Sequence, residues 1–268
     1  MARNAVEIKR GRIAATRAEP APRLREFYLK NERWMIGTAA VLIFIALWEA
    51  FTRSGAISPI LLSSPLAVAS AGAAMFASGE IWNDLWVSGV EFFVGFGLSV
   101  LLGIPLGLAV GWYRRLYFAV DPFLSALYAT PRVALLPLII IWLGIGIWSK
   151  VAIVFLGAFF PICVNTLSGV KTSDARLLRV SRSFGASELQ IFKSIVLPSS
   201  VPFILTGLRL GVGRALIGVV VGELYAATAG IGFMITVAGA TFQTDKVFVG
   251  IVILALFGVF CVELLTRL

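Results

Sequence analysis

Six stretches of this chain are apolar over about the 20 residues a helix needs to cross the roughly 30 Å hydrocarbon core of a bilayer. They run at about 34–52, 85–112, 122–143, 148–168, 202–225 and 247–265. Spans of this length leave few choices, because a backbone in lipid must satisfy its own hydrogen bonds, and repeated apolar runs do so as helices. Composition agrees: 59% of the 268 residues are hydrophobic and 14% are charged, more apolar surface than a soluble domain of this size can bury. The expected fold class is an all-α membrane protein with six transmembrane helices.

Charge placement gives the expected orientation. The net charge of +9 sits in tails and loops, which argues for membrane topology rather than nucleic-acid binding. Nine Lys and Arg residues fall in a polar N-terminal tail, 1–33. Two follow the second span, five lie in 171–198, and Arg267 comes after the sixth span. The opposite side holds only Arg53, Lys150 and Lys246. Basic residues concentrate on the cytoplasmic side, so both termini and the 171–198 stretch are expected there, in a multi-pass protein. The tail is read as a cytoplasmic segment, partly disordered, with a short helix along the membrane surface. Residues 34–268 form the membrane domain. The segment SPILLSSPLAVASAGAAMFASGE is expected as an interfacial helix, and AATAGIGFMITVAGATFQTDK as a loop, partly re-entrant.

The chain has no histidine, and its two cysteines, Cys163 and Cys261, lie in apolar spans. That excludes His-based acid–base catalysis and argues against a metal site or a disulfide framework. No catalytic residue and no metal ligand is assigned. The pattern G-x-x-x-x-G-K-[ST] is absent, so the chain carries no phosphate-binding loop of its own.

Small residues and prolines mark the spans. Gly103, Gly107 and Gly111 recur every four residues, a spacing that lets another helix approach closely. Pro131 and Pro137 interrupt the third span and Pro161 lies in the fourth. Each removes a backbone donor, and the freed carbonyls need partners in the protein or a wet cavity. Arg132 lies roughly 15 Å into the third span and Arg214 roughly 18 Å into the fifth at about 1.5 Å per residue, near the bilayer middle. Charges at that depth either fasten helices, by pairing with carboxylates or broken-helix carbonyls, or line a pathway. Arg132 and Arg214, with Glu223, are the candidate translocation-pathway residues. Arg209 is shallower, and Glu49, Glu91, Glu223 and Glu263 are placed near span ends.

One long polar stretch interrupts the body of the chain, Lys171 to Pro198, and a Leu-Pro closes it. Leu177, Leu178, Phe184, Leu189, Ile191 and Phe192 give it an apolar side, and Gly185 sits in its middle as a hinge between two short helices. Counting forward from Gly185, Ile195 and Leu197-Pro198 complete G-x9-I-x-L-P. This spacing resembles the EAA cytoplasmic loop of ABC-transporter permeases, whose pattern is E-A-A-x3-G-x9-I-x-L-P. The front departs from it, with Arg179-Val180-Ser181 in the E-A-A positions. Tyr128-Ala129-Thr130-Pro131-Arg132 through Pro137, and Trp142-Leu143-Gly144-Ile145-Gly146, resemble the third span of the nitrate/sulfonate/taurine/bicarbonate branch. So do Phe160-Pro161-Ile162, Asn165-Thr166 with Gly169-Val170, and Thr206-Gly207-Leu208-Arg209.

The resemblance covers roughly residues 60–265. It implies the type I importer permease fold, a homodimer in the bacterial cytoplasmic (inner) membrane, two cytoplasmic ATPase subunits and an extracytoplasmic solute-binding protein. ATP and Mg would be bound by the ATPase, with no cofactor in this chain. Arg182, Ser183, Phe184, Gly185, Ala186, Ser187, Glu188, Leu197 and Pro198 would couple to the ATPase. The solute implied is a small anion of the nitrate, sulfonate, taurine or bicarbonate kind, although related members carry vitamin precursors and aromatic acids. A different class stays open, a secondary transporter or channel working without an ATPase. It would need its own ion or proton site, commonly carboxylates in the midplane.

Overall fold

In a computed structural model the described residues, 23–267, are helical with no strand among them. They divide after Phe51 into two compact units. The first holds all but the end of helix α1 (Arg23–Arg53), whose stretch Trp34–Arg53 is apolar enough to span. Residues 23–33, expected in the tail, are thus helical and continuous with the first span. The expectation for residues 1–22 lies outside the described residues.

The second unit begins with α2 (Pro65–Ser78), the expected short helix. Ser64 caps it by accepting from the Ala67 amide at 3.2 Å, and Pro65 occupies the first turn, where no donor is needed. There follow α3 (Trp82–Trp112), α4 (Arg114–Ala129), α5 (Leu136–Leu143) and α6 (Ile147–Lys171). Next come α7 (Ala175–Ser183), α8 (Glu188–Ile191), α9 (Leu197–Ala226), α10 (Ile231–Ala240) and α11 (Thr244–Thr266). Among the described residues five helices, α8 and α9 counting as one, are long and apolar enough to cross a membrane. The bent pair α4–α5 makes a sixth candidate.

Helix α6 is the axis of this unit, gripped on both sides through small residues. On α3 the small-residue stripe runs further than Gly103–Gly111, because Gly95 and Ser99 continue it. A Cβ at Gly95 would lie 2.7 Å from Val154, and one at Gly107 would lie 2.6 Å from the Cys163 carbonyl. Ser99 Oγ donates across the seam to the Phe155 carbonyl at 3.0 Å. On α9, a Cβ at Gly218 would sit 3.0 Å from the Val154 backbone. Backbones this close gain van der Waals contact along their whole length, the main source of helix association in lipid. Phe92, Val154, Ala158, Ile162, Val212, Ala215 and Val219 fill the core between the three helices. A second cluster joins α2, α10 and α11 through Val68, Met75, Ile231, Met234 and Val249.

Pro131 interrupts the third span as expected, and four other expectations are corrected. At Pro131, α4 stops before Thr130-Pro131, a 3₁₀ turn covers Arg132–Leu135, and α5 leaves at 91° to α4. The residue before a proline is driven out of the helical region, and Thr130 sits at ψ 131°. Pro137 breaks nothing, since it lies in the first turn of α5. The fifth span does not start after Leu197-Pro198, because one helix runs from Glu188 to Tyr225. A π-helical segment, Phe192–Val196, precedes Pro198, and its wider turn gives room where the proline ring would meet the preceding turn. The 227–246 segment is not simply a loop, since α10 occupies half of it. Finally, Lys150 is not a loop charge: it is buried in the first turn of α6, donating to the Ile145 carbonyl at 3.0 Å.

Candidate functional site

The arginines meet at the break in the third span. A cavity of about 340 Å³ is lined by Tyr128, Thr130, Pro131, Arg132 and Val133 from the break. Ile153 and Gly157 of α6 and Arg214, Ile217, Gly218 and Val221 of α9 complete it. Pro161 explains how Arg132 is held. In α6 it removes the amide that would have bonded the Gly157 carbonyl, four residues back. Arg132 Nη1 donates to that carbonyl at 3.3 Å. Its guanidinium also lies over the rings of Tyr128 and Phe160, 5.4 and 5.2 Å from their centroids. Arg132 Nε is buried with no acceptor among the described residues. Arg214 is exposed towards the same cavity, and its own backbone carbonyl presses on Gly157, where a Cβ would lie 2.8 Å away. Two cations therefore face one cavity, one from the 3₁₀ turn at the break and one from α9, a setting that favours an anion. Arg209 is elsewhere, reaching the Leu265 carbonyl at 3.5 Å near the end of α11.

Glu223 does not join this cavity. It is 1% exposed, on α9 about two and a half turns beyond Arg214, and accepts from Ser88 Oγ and the Gly232 amide, both at 2.5 Å. Glu91 lies with it rather than near a helix end: it is more than two turns inside α3 and fully buried. Sequence reasoning missed this pairing. The signal was there in the spacing Asp84, Ser88, Glu91, which places three polar side chains on one face of α3.

The 171–198 stretch folds as a helix stop followed at once by a helix start. Asp174 caps α7 by accepting from the Arg176 amide at 2.7 Å. At its other end Gly185 takes φ +77°, the left-handed conformation glycine accepts without penalty. The Ala186 amide bonds to the Ser181 carbonyl and the Gly185 amide to the Arg182 carbonyl, both at 3.0 Å. This is the doubly bonded glycine stop of a helix. Ser187 then opens α8 with a capping box: its amide donates to Gln190 Oε1 at 2.8 Å and its Oγ accepts from the Gln190 amide at 3.3 Å. Arg182 and Glu188 pair across the turn at 3.1 Å. Ser183 donates to the Arg179 carbonyl.

This turn presents apolar surface. Phe184 is 87% exposed at its tip, with Leu177, Val180 and Leu189 also exposed around it. Ile191, expected on the same apolar side, instead turns inward and is buried. Leu197 is half-buried and Pro198 exposed at the start of α9. Phe184 thus stands exposed on a charged, well-capped turn, and nothing in the turn itself covers it.

The described residues thus combine helices long and apolar enough to cross a membrane with a span broken at a proline and a projecting capped turn. Residues 99–268 match the family described as "Binding-protein-dependent transport system inner membrane component". The chain is 37% identical over 226 residues to the taurine transport system permease protein of Escherichia coli, covering 82% of each chain. It is 36% identical over 229 residues to a Bacillus subtilis permease provisionally named for aliphatic sulfonates transport, covering 85% of this chain and 83% of that one. It is also 36% identical over 222 residues to the formylaminopyrimidine transport permease protein of Halalkalibacterium halodurans, covering 83% and 88%. The chain belongs to this family, and is an ABC-transporter permease, a multi-pass membrane transport component rather than an enzyme.

Proposed function

We propose that this chain is the permease subunit of an ATP-driven importer for a small anion. It works as a homodimer in the bacterial cytoplasmic membrane, with two ATPase subunits and an extracytoplasmic solute-binding protein. The observation that carries the reading is the cavity shared by Arg132 and Arg214 at the broken span. The relatives named for taurine and aliphatic sulfonates favour a sulfonate over nitrate or bicarbonate. Exposed apolar side chains on the two helices that flank the break, among them Phe123, Ile141 and Trp142, give a second copy a surface to pack on. ATP and Mg belong to the partner ATPase, which docks on the turn around Phe184 and Gly185, with Leu197 and Pro198 at the base of the helix it drives. Glu223 is withdrawn from the pathway in this reading, because it is enclosed away from the cavity.

The buried Glu91 and Glu223 revive one argument for a secondary transporter, since they put carboxylates inside the helix bundle. Family membership favours the ATP-driven reading. The test is uptake of taurine and an alkanesulfonate by the permease reconstituted with its ATPase and binding protein. Arg214→Gln should lower uptake about tenfold or more, equivalent to about 1.4 kcal/mol, with the ATPase still bound. Unchanged uptake in that variant would remove Arg214 from the pathway. Uptake by the permease alone would support the secondary transporter.

A further inference from the structure

At the end of α9 remote from the 171–198 turn, two buried carboxyls meet. Glu91 sits one turn on from Ser88 along α3, and Ser88 Oγ donates to Glu223 of α9, so the two carboxyls share one enclosure. They are 0% and 1% exposed. Their surroundings differ. Glu223 takes hydrogen bonds from Ser88 and from the Gly232 amide. Neither oxygen of Glu91 receives a donor among the described residues. A buried carboxylate with no donor is far too costly to persist beside a second carboxylate. One proton between them removes the repulsion and supplies the missing bond, with Glu91 as the acid that donates to Glu223.

We propose that Glu91 and Glu223 form a proton-binding site, sharing one proton, and that the bound proton latches α10 to α3 and α9. The latch is visible in the backbone. Three successive amides at the start of α10 are held by side chains: Gly230 by Asp84 at 2.8 Å, Ile231 by Ser88 at 2.8 Å, and Gly232 by Glu223. Gly230, at φ +121°, wraps the Glu223 carboxyl so tightly that a Cβ there would lie 2.3 Å from it. Ser88 links the two halves, donating to Glu223 and accepting from Ile231.

The other charged groups facing the pair set its balance. Lys150 of α6 is buried and packs its stem on Gly222, the residue before Glu223, which makes it the cation nearest the pair in the helix packing. Asp84 of α3 adds a negative charge near Glu223. Glu80 and Lys246 pair with each other at 2.9 Å by the rim near Asp84. Helix α10 carries no titratable side chain. One Lys150 cation against one shared negative charge leaves the interior nearly neutral. Loss of the proton would leave two adjacent anions, and the pair would part. Because Glu223 holds Gly232 and Ser88, parting frees the first turn of α10.

The test uses the full-length protein in lipid nanodiscs. Infrared spectroscopy should find one protonated buried carboxyl at neutral pH, lost at alkaline pH and absent in Glu91→Gln. Hydrogen exchange of the Gly230–Gly232 amides, corrected for intrinsic rate, should accelerate as the wild type loses that proton. Glu91→Gln keeps a donor towards Glu223, so its protection should persist to alkaline pH, whereas Glu223→Ala, which leaves the Gly232 amide without its acceptor, should lose protection at every pH. A neutral-pH spectrum with no protonated carboxyl overturns the proposal, a reading that needs no variant to fold. So does a band untouched by Glu91→Gln, or protection that follows sodium concentration instead of pH, which would make the pair a metal-cation site.

Discussion

The Arg132 guanidinium bonds to the one carbonyl of α6 that Pro161 has left without its amide, that of Gly157, at 3.3 Å. A proline on one helix thus creates the acceptor that fixes a cation on another. The same residue, Gly157, is where the Arg214 backbone presses closest. Arg132→Met removes the donor and the charge together. A hydrogen bond to a charged group contributes about 1.5–3 kcal/mol, so binding or uptake of an anionic substrate should fall by roughly tenfold to a hundredfold. Arg132→Lys keeps the charge but not the planar fork and should be intermediate. Isothermal titration or uptake in proteoliposomes decides it, and equal activity for all three forms would show that Arg132 only fastens helices.

Gly157→Ala probes the α6–α9 contact itself. The added Cβ would stand 2.8 Å from the Arg214 carbonyl, a backbone atom that cannot swing aside. Overpacking of this kind costs about 1–3 kcal/mol. The midpoint of thermal denaturation in detergent should fall, and uptake with it, since Arg214 must shift. Gly213→Ala, on α9 next to Arg214 but with open space around it, serves as the control and should leave both unchanged.

Gly185→Leu forces a side chain into the left-handed conformation, at about 1–2 kcal/mol, while Gly185→Asn should be better tolerated. The strain is local to the turn, so the membrane helices should keep their stability. Co-purification with the ATPase should drop for Gly185→Leu and for Phe184→Ala. The second variant removes an 87% exposed ring and costs this chain little by itself. Full ATPase retention by Phe184→Ala would mean the docking surface lies elsewhere.

Ser187→Ala removes the Oγ that accepts from the Gln190 amide. Losing such a cap costs about 1 kcal/mol, so amides at 188–191 should exchange about fivefold faster by mass spectrometry. The amides of α7, capped separately by Asp174, should not change.

Much of this was legible in the residues. Gly103, Gly107 and Gly111 announced a close helix contact because four-residue spacing fixes them on one face. The pairing of Ser187 with Gln190 is a local signature, and so is a glycine ending a helix. What could not be read depends on distant partners. Pro161 predicts a free carbonyl, but not that Arg132 takes it. Ser88 and Glu223 are 135 positions apart, and nothing local to either signals the other. Leu197-Pro198 suggested a boundary because proline usually ends a helix; the π segment before it let the helix run on. Lys150 counted as a loop charge because a lysine near a span end normally reaches water, whereas here it folds back to Ile145.

That uninterrupted helix has a mechanical consequence. From Glu188 to Tyr225 it is 38 residues, about 57 Å of rod at 1.5 Å per residue. Its near end sits in the exposed turn, Arg214 lies on its shaft, and Glu223 is bolted into the far end. The joints in which a push on its near end can dissipate are the π segment and Pro202, which removes one hydrogen bond inside α9. Movement of its near end, past the Gly185 stop, would therefore reach the arginine and the carboxyl pair through a single helix rather than through a chain of separate contacts.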